Sequence, residues 1–315
     1  MDNEVAHKIK AKLAKETEEV IREVESLFDV RDFYFQKTGD WYALKFLPVL
    51  GYKPIWKYEP MVRYNLQLKL WESRIGTARF FTSGCPFFEF ICELRGYTLP
   101  GTISADSVVL DAGPWNGISG MYFSTAARKG KVLFLEPDAE SADYIAAEIK
   151  RNKFTNTELI QKALYVRDGE IGFQHRAGGA SHIIADLGQN VVKTLSLSDL
   201  ISEYAPEGID FFKMDIEGVE ASIADDLALY INDNPHSWAA IASYHKVNGI
   251  KSFVILEKFF SQYPDLVFKT AYPYHETTFV ANVNNEEVAA NIRKMTSFDV
   301  GWKAVQRALK QQVKG

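Results

Sequence analysis

Apolar positions along the chain fall into two rhythms, one helical and one alternating. Between residues 3 and 28, Val5, Ile9, Leu13, Val20, Ile21, Val24 and Leu27 recur at helical spacing, with Lys and Glu between them. That pattern predicts an amphipathic helix. Its polar face mixes both charge signs, so the apolar stripe is expected to pack on its own chain rather than on a membrane. Residues 29–66 carry Phe33, Tyr34, Phe35, Trp41, Tyr42, Trp56, Pro54 and Pro60 without a clean period. They read as a packed, irregular extension, either lining a cleft or adding aromatic residues to the core. Leu66 to Leu70, with leucine at every second position, and Ala78 to Phe81 predict short strands. Phe87 to Leu94 predicts a helix leading to a turn at Leu99-Pro100-Gly101.

Beyond that turn, strand and helix alternate. Apolar runs at 107–111, 132–136 and 158–164 are separated by helical stretches at 118–129 and 139–152. A polar, hairpin-like region follows from Gly169 to Lys193, with Gly178-Gly179 as its expected tip. Then come a helix near Leu197 to Tyr204, a strand from Ile209 to Met214, and helices near 217–231 and 250–262 flanking a strand at Trp238 to Ser243. The pattern closes on two strands, Leu266 to Ala271 and Thr277 to Val283, joined by a link too short for a helical crossover. Such alternation predicts an α/β fold, a doubly wound and mostly parallel sheet. The last pair must form an antiparallel hairpin. The expected division is a helical and aromatic extension at 1–60, an α/β domain at 61–284, and a helical tail at 285–315 broken near Gly301.

Composition narrows the function classes. A hydrophobic content of 47% and an aromatic content of 13% suffice for one large domain with an extension. The formal net charge is −5 and no Lys/Arg run occurs, which disfavours a nucleic-acid partner. Cys85 and Cys92 are too few for a disulfide framework and read as buried thiols. The N-terminus is charged and helical, unlike a secretory signal. No stretch approaches the about 18 apolar residues of a membrane span. A soluble, cytoplasmic protein is expected.

Three stretches carry candidate chemistry. In Ser107 to Gly117, a strand ends on Asp111, and Gly113 and Gly117 bracket a tight turn before a helix. A strand, a glycine turn and a helix start form the place where a doubly wound sheet receives a nucleotide-like ligand. About twenty residues on, the next strand ends at Glu136, placed to accept hydrogen bonds from ribose hydroxyls. A dinucleotide is the competing ligand, since Gly113, Gly117 and Gly120 loosely mimic its glycine fingerprint. Against it, Asp111 would face a pyrophosphate, and no tyrosine is followed by lysine at the spacing of short-chain dehydrogenases.

The second stretch is Lys213-Met214-Asp215-Ile216-Glu217-Gly218-Val219-Glu220. Alternation sends Lys213 and Asp215 to one side of the strand. Acids at a helix start explain Glu217 and Glu220, but not Lys213 and Asp215, which lie in the ligand crevice. The third is Ser243-Tyr244-His245-Lys246 at the next strand end, where His245 could serve as a general base. His275, His175 and His182 are weaker candidates. A His/Asp/Glu metal site could be assembled from these groups, but no two ligands sit at a helix-facing spacing that argues for one, and no metal ligand is assigned.

In this order, the motifs resemble the FkbM family of S-adenosylmethionine-dependent methyltransferases. The resemblance runs from Leu94 to Val283, through Tyr97 to Gly101, Val108 to Gly117, Phe134-Leu135-Glu136-Pro137, Asn152, Ala163-Leu164, Lys193-Thr194-Leu195, Lys213 to Glu220, Tyr244-His245-Lys246 and His275 to Thr278. Lys-x-Asp-x-Glu-Gly-x-Glu is its most specific block. Pro114 and Trp115 stand where the family has Ala and Asn, displacing Asn116 by one place. The resemblance implies a seven-stranded, Rossmann-like class I methyltransferase sheet. It also implies S-adenosyl-L-methionine as cofactor and a hydroxyl on a sugar or other small molecule as methyl acceptor. Asp111, Gly113, Trp115, Asn116, Gly117, Glu136 and Ala163 would then hold the cofactor, while Asp215, Glu217 and His245 face the acceptor. A cofactor-binding protein without turnover and, more distantly, an NAD-dependent oxidoreductase are the alternatives.

Overall fold

In the computed structural model, residues 15–23, 25–26, 33–46, 59–99, 102–174, 182–184, 191–271 and 276–295 are described. The first sheet is an antiparallel meander of β1 (Phe33–Thr38), β2 (Trp41–Phe46), β3 (Met61–Asn65), β4 (Leu70–Ile75) and β5 (Ala78–Thr82). The stretch expected to be irregular therefore supplies three strands. Phe33 is buried, Tyr34 exposed and Phe35 half-buried, a period-two alternation that the clustered aromatics and prolines obscure in the sequence. Leu66 to Leu70, expected as a strand, is instead mostly the turn between β3 and β4. Asn65 Oδ1 accepts the Gln67 and Leu68 N–H groups, each at 3.1 Å, which ends β3 and leaves Leu68 exposed. The sheet takes strands from both sides of the division expected at residue 60.

A helical connection follows through Phe87–Glu89, a π turn at Phe90–Leu94, and Arg95–Tyr97. It buries Phe87, Phe90, Ile91, Leu94 and Tyr97 completely. Then come β6 (Val108–Ala112), α1 (Ile118–Ala126), β7 (Lys131–Leu135), α2 (Ala139–Asn152) and β8 (Thr157–Ile160). The polar region forms a small sheet of β9 (Ala163–Leu164), β10 (Gly169–Gln174), β11 (His182–Ile184) and β12 (Val191–Leu195). It is followed by α3 (Leu197–Tyr204), β13 (Phe211–Met214), α4 (Ala224–Asp233) and β14 (Trp238–Ala242). A short ribbon, β15 (Lys246–Val247) with β16 (Ile250–Lys251), leads into α5 (Ser252–Phe260), β17 (Leu266–Ala271), β18 (Thr277–Asn282) and α6 (Glu286–Lys294). The expected tip at Gly178-Gly179, His175, His275 and the break near Gly301 lie outside the described residues.

The main sheet has seven strands in the order β17-β18-β14-β13-β6-β7-β8. All its pairings are parallel except those of β18, which runs antiparallel to both β14 and β17. Adjacent residues on each strand feed opposite faces. Val109, Val132, Phe211, Ala240 and Phe279 pack with Phe123, Ile145 and Ile292 on one face. Leu110, Leu133, Phe212, Ile241 and Val280 pack with Leu227, Ile231, Leu256 and Phe260 on the other. Burying both faces is why these strands read as continuous apolar runs. The chain leaves β6 in one direction to β7 and β8, then returns to β13 on its other side. That reversal opens the ligand crevice beyond the carboxyl ends of β6 and β13. No described helix is long and apolar enough to cross a membrane.

Candidate active site

Parallel pairing places Lys213 opposite Asp111 and Met214 opposite Ala112. The Lys213 amine, wholly buried, lies 3.4 Å from Asp111 Oδ1 and donates to the Gly113 carbonyl at 2.7 Å. Ser119 Oγ, in the first turn of α1, donates to Asp111 Oδ2 at 2.6 Å. Burial raises the Asp111 carboxyl above its ordinary range, and the Lys213 charge opposes that rise. Asp111 is thus a fully buried anchor beneath the turn, tied to Lys213 and Ser119.

Gly113 sits at φ +69°, where a Cβ would lie 1.8 Å from the Asp215 carbonyl oxygen. Only glycine fits so close a crossing of the two strand ends. Trp115 is also left-handed, at φ 49°, and half-buried. Its backbone N–H donates to Glu136. The Glu136 carboxylate, almost wholly buried at the end of β7, also accepts the Asp138 N–H at 2.9 Å. Burial pushes its carboxyl up to about 7 against these hydrogen bonds. Asp138 in turn caps α2 through the Ser141 N–H. Asn116 turns its amide to Glu89 on the helical connection and accepts the Ile118 N–H at 3.3 Å. Ala163 is buried in β9 and pairs with Thr194 of β12, in the small sheet rather than in the turn.

At the end of β13, Asp215 accepts hydrogen bonds from two phenols. Tyr97 donates to Oδ2 at 3.0 Å, and Tyr244 lies 3.2 Å from Oδ1. His245 Nε2 stands 3.6 Å from Asp215 Oδ1 and 3.4 Å from Glu217 Oε2, while Nδ1 stands 3.4 Å from Glu220 Oε1. Glu220 is buried and fixed by the Ile216 and Gly218 N–H groups at 2.7 and 2.8 Å. Burial alone would lower the histidine. Glu220, Asp215 and Glu217 outweigh it and raise His245 to about 9. These three carboxylates favour the charged form of the imidazole. The helix expected over 217–231 also begins late. Glu217 and Gly218 are both left-handed, a short 3₁₀ turn covers Val219–Ala221, and α4 starts at Ala224.

Residues 116–230 match the family model of the methyltransferase FkbM domain. The matched FkbM segment holds Glu136 and the Lys213 to Glu220 block and stops before His245, so the placement of His245 comes from the fold. No curated protein matches the sequence. Among solved structures, the Methanococcus jannaschii fibrillarin pre-rRNA processing protein is similar at 13% identity, over 80% of this chain and 98% of that one, with a TM-score of 0.39. The O-methyltransferase TomG from Streptomyces achromogenes is similar at 10% identity over 57% and 75%, with a TM-score of 0.39. An rRNA methylase from Streptococcus thermophilus is similar at 13% identity over 57% and 87%, with a TM-score of 0.36. At these scores the likenesses identify neither acceptor nor mechanism.

Around the matched segment the fold brings Asp215, Glu217 and His245 together, with Gly113 in contact range of Asp215. It adds residues the motifs did not assign. Lys213 was visible as a strand lysine in phase with Asp215, but its partners lie a hundred residues upstream. Tyr97 comes from the helical connection, and no local pattern marks it as a partner of Asp215. Tyr244 stood beside His245 in the sequence, and its hydroxyl reaches back to the neighbouring strand.

Proposed function

We propose that this chain is an S-adenosyl-L-methionine-dependent methyltransferase acting on a hydroxyl of a sugar or other small molecule. The observation that carries this reading is the meeting, in the switch-point crevice, of a glycine turn backed by Glu136 with the Asp215–Glu217–His245 rim. The FkbM match supports it. The turn suits a nucleoside: Gly113 lets it cross close over the end of β13, and Glu136 ends β7 where ribose hydroxyls can donate to it. Trp115 and Asn116 belong to the turn itself, Ala163 is assigned to the cofactor from the resemblance alone, and Asp111 fixes the turn from beneath through Lys213. When bound, the cofactor supplies an electrophilic methyl group on a sulfonium centre.

The rim residues then handle the acceptor. Asp215, oriented by Tyr97 and Tyr244, receives the acceptor hydroxyl and sets its direction. Glu217 keeps 27% of its side chain exposed and is the carboxylate open to an incoming substrate and its proton. His245 balances the negative charge of the rim and holds Asp215 and Glu217 together.

Methyl-labelled cofactor incubated with the full chain and a cell extract tests this reading. Label should enter a low-molecular-mass or carbohydrate fraction in a linkage stable to mild base, as an ether is and a methyl ester is not. Glu217→Gln, which removes the proton acceptor, should lower that transfer by about 10²–10⁴ while cofactor affinity persists. Label in RNA would overturn the small-molecule reading. Tight cofactor binding with no transfer to any fraction would instead make the chain a binding protein without turnover.

A further inference from the structure

We propose that Asp215, Glu217 and His245 form a site for one first-row divalent cation, with Glu220, Tyr97 and Tyr244 holding the ligands in place. One donor atom from each of the three residues lies within 4.8 Å of the others. Donors around such a cation sit about 3–4 Å apart, given bonds of about 2.0–2.2 Å, so small side-chain rotations close the set. Sequence spacing offered no argument for a metal site. The fold supplies one by placing the ends of β13 and β14 side by side.

The histidine points to the ligand independently of the acids. His245 is only 9% exposed, yet Nε2 makes no hydrogen bond. Nε2 aims between Asp215 and Glu217, at 3.6 and 3.4 Å, instead of donating to either. Nδ1 faces Glu220, whose carboxylate is itself pinned by two backbone N–H groups. An imidazole backed at one nitrogen by a fixed carboxylate, with its other nitrogen turned toward further oxygen donors, is how proteins present histidine to a metal. The two tyrosine hydroxyls play the same outer role for Asp215. Three carboxylates around one imidazole also leave surplus negative charge that a divalent ion offsets.

Two carboxylate oxygens and one imidazole nitrogen suit Mn²⁺ or Zn²⁺ better than a cation that prefers oxygen alone. Three protein ligands leave positions open. If the methyl-transfer reading holds, on which this role rests, an acceptor hydroxyl bound at an open position would be oriented beside Glu217 and made more acidic.

Mn²⁺ titration of the full-length, chelator-treated chain, followed by loss of the free-ion electron paramagnetic resonance signal, tests the site. One equivalent should bind, and Zn²⁺ should displace it. Glu217→Gln, a partly exposed position that leaves the fold intact, should weaken Mn²⁺ binding by at least about tenfold, and Tyr97→Phe by about tenfold or more. No uptake of Mn²⁺ or Zn²⁺ at about 1 mM, a concentration matched to millimolar affinity, would overturn the proposal. So would a Glu217→Gln chain that binds as the wild type does. Label transfer is measured separately, so metal uptake without transfer keeps the site and discards the enzyme reading. Transfer that persists with no metal uptake does the reverse.

Discussion

Lys213 is the residue on which the turn depends. Its buried amine serves the Asp111 carboxylate on the neighbouring strand and the Gly113 carbonyl above it. Removing one partner of a buried pair leaves the other charge uncompensated, at a cost of about 3–5 kcal/mol. Lys213→Met should lower unfolding stability in urea by that amount, and the Asp111→Asn/Lys213→Met double variant should recover most of it. A second residue-scale expectation concerns Glu136, whose carboxyl is raised by burial from 4.5 to about 7. Ribose hydroxyls donate to the ionised form, so ligand binding expels a proton below that value. Affinity for S-adenosyl-L-homocysteine should therefore rise as pH climbs from about 6 to about 8, and Glu136→Ala should flatten the slope. The sign is opposite for the unliganded fold. A raised carboxyl binds more protons folded than unfolded, so its contribution to stability falls as pH rises through the same window. The position of Glu136, at a strand end beside the glycine turn, was legible in the sequence because an apolar run stops there. The partnership of Lys213 with Asp111 was not, because it exists only through the register of two strands a hundred residues apart.

At the scale of elements, the meander is fastened to the α/β core by side chains of α2. Asn152 pairs with the backbone of Phe81 as a neighbouring strand would, accepting its N–H at 2.7 Å and donating to its carbonyl at 2.8 Å. Glu148 and Tyr144 continue the contact at Ser83 and Gly84. Asn152→Ala strands both Phe81 groups and should cost about 1–3 kcal/mol in thermal or urea unfolding. Hydrogen exchange should show the loss first in β5. The elements of the main sheet were readable because both faces are buried and each strand is an apolar run. The meander was not, because its alternation is broken by aromatics at half-buried positions. The evenly spaced leucines near Leu68 fall on a turn fixed by Asn65.

For the whole molecule, strand order explains why chemistry collects where it does. The reversal between β6 and β13 puts Gly113 against Asp215, and the adjacent β14 brings Tyr244 and His245 to the same rim. Alternating strands and helices foretold which strand ends share the crevice, and the closing hairpin foretold the reversed seventh strand. They could not foretell that Tyr97, from outside the sheet, completes the environment of Asp215, nor that three carboxylates would surround His245. The central claim is that this crevice takes the methyl donor through Glu136 and the glycine turn. Calorimetric titration of the full-length chain with S-adenosyl-L-homocysteine tests it most directly. One equivalent should bind, NAD should give no heat, and Glu136→Ala should lose about one to two decades in affinity. A wild-type titration without heat, or a Glu136→Ala chain within about twofold of wild type, would contradict it.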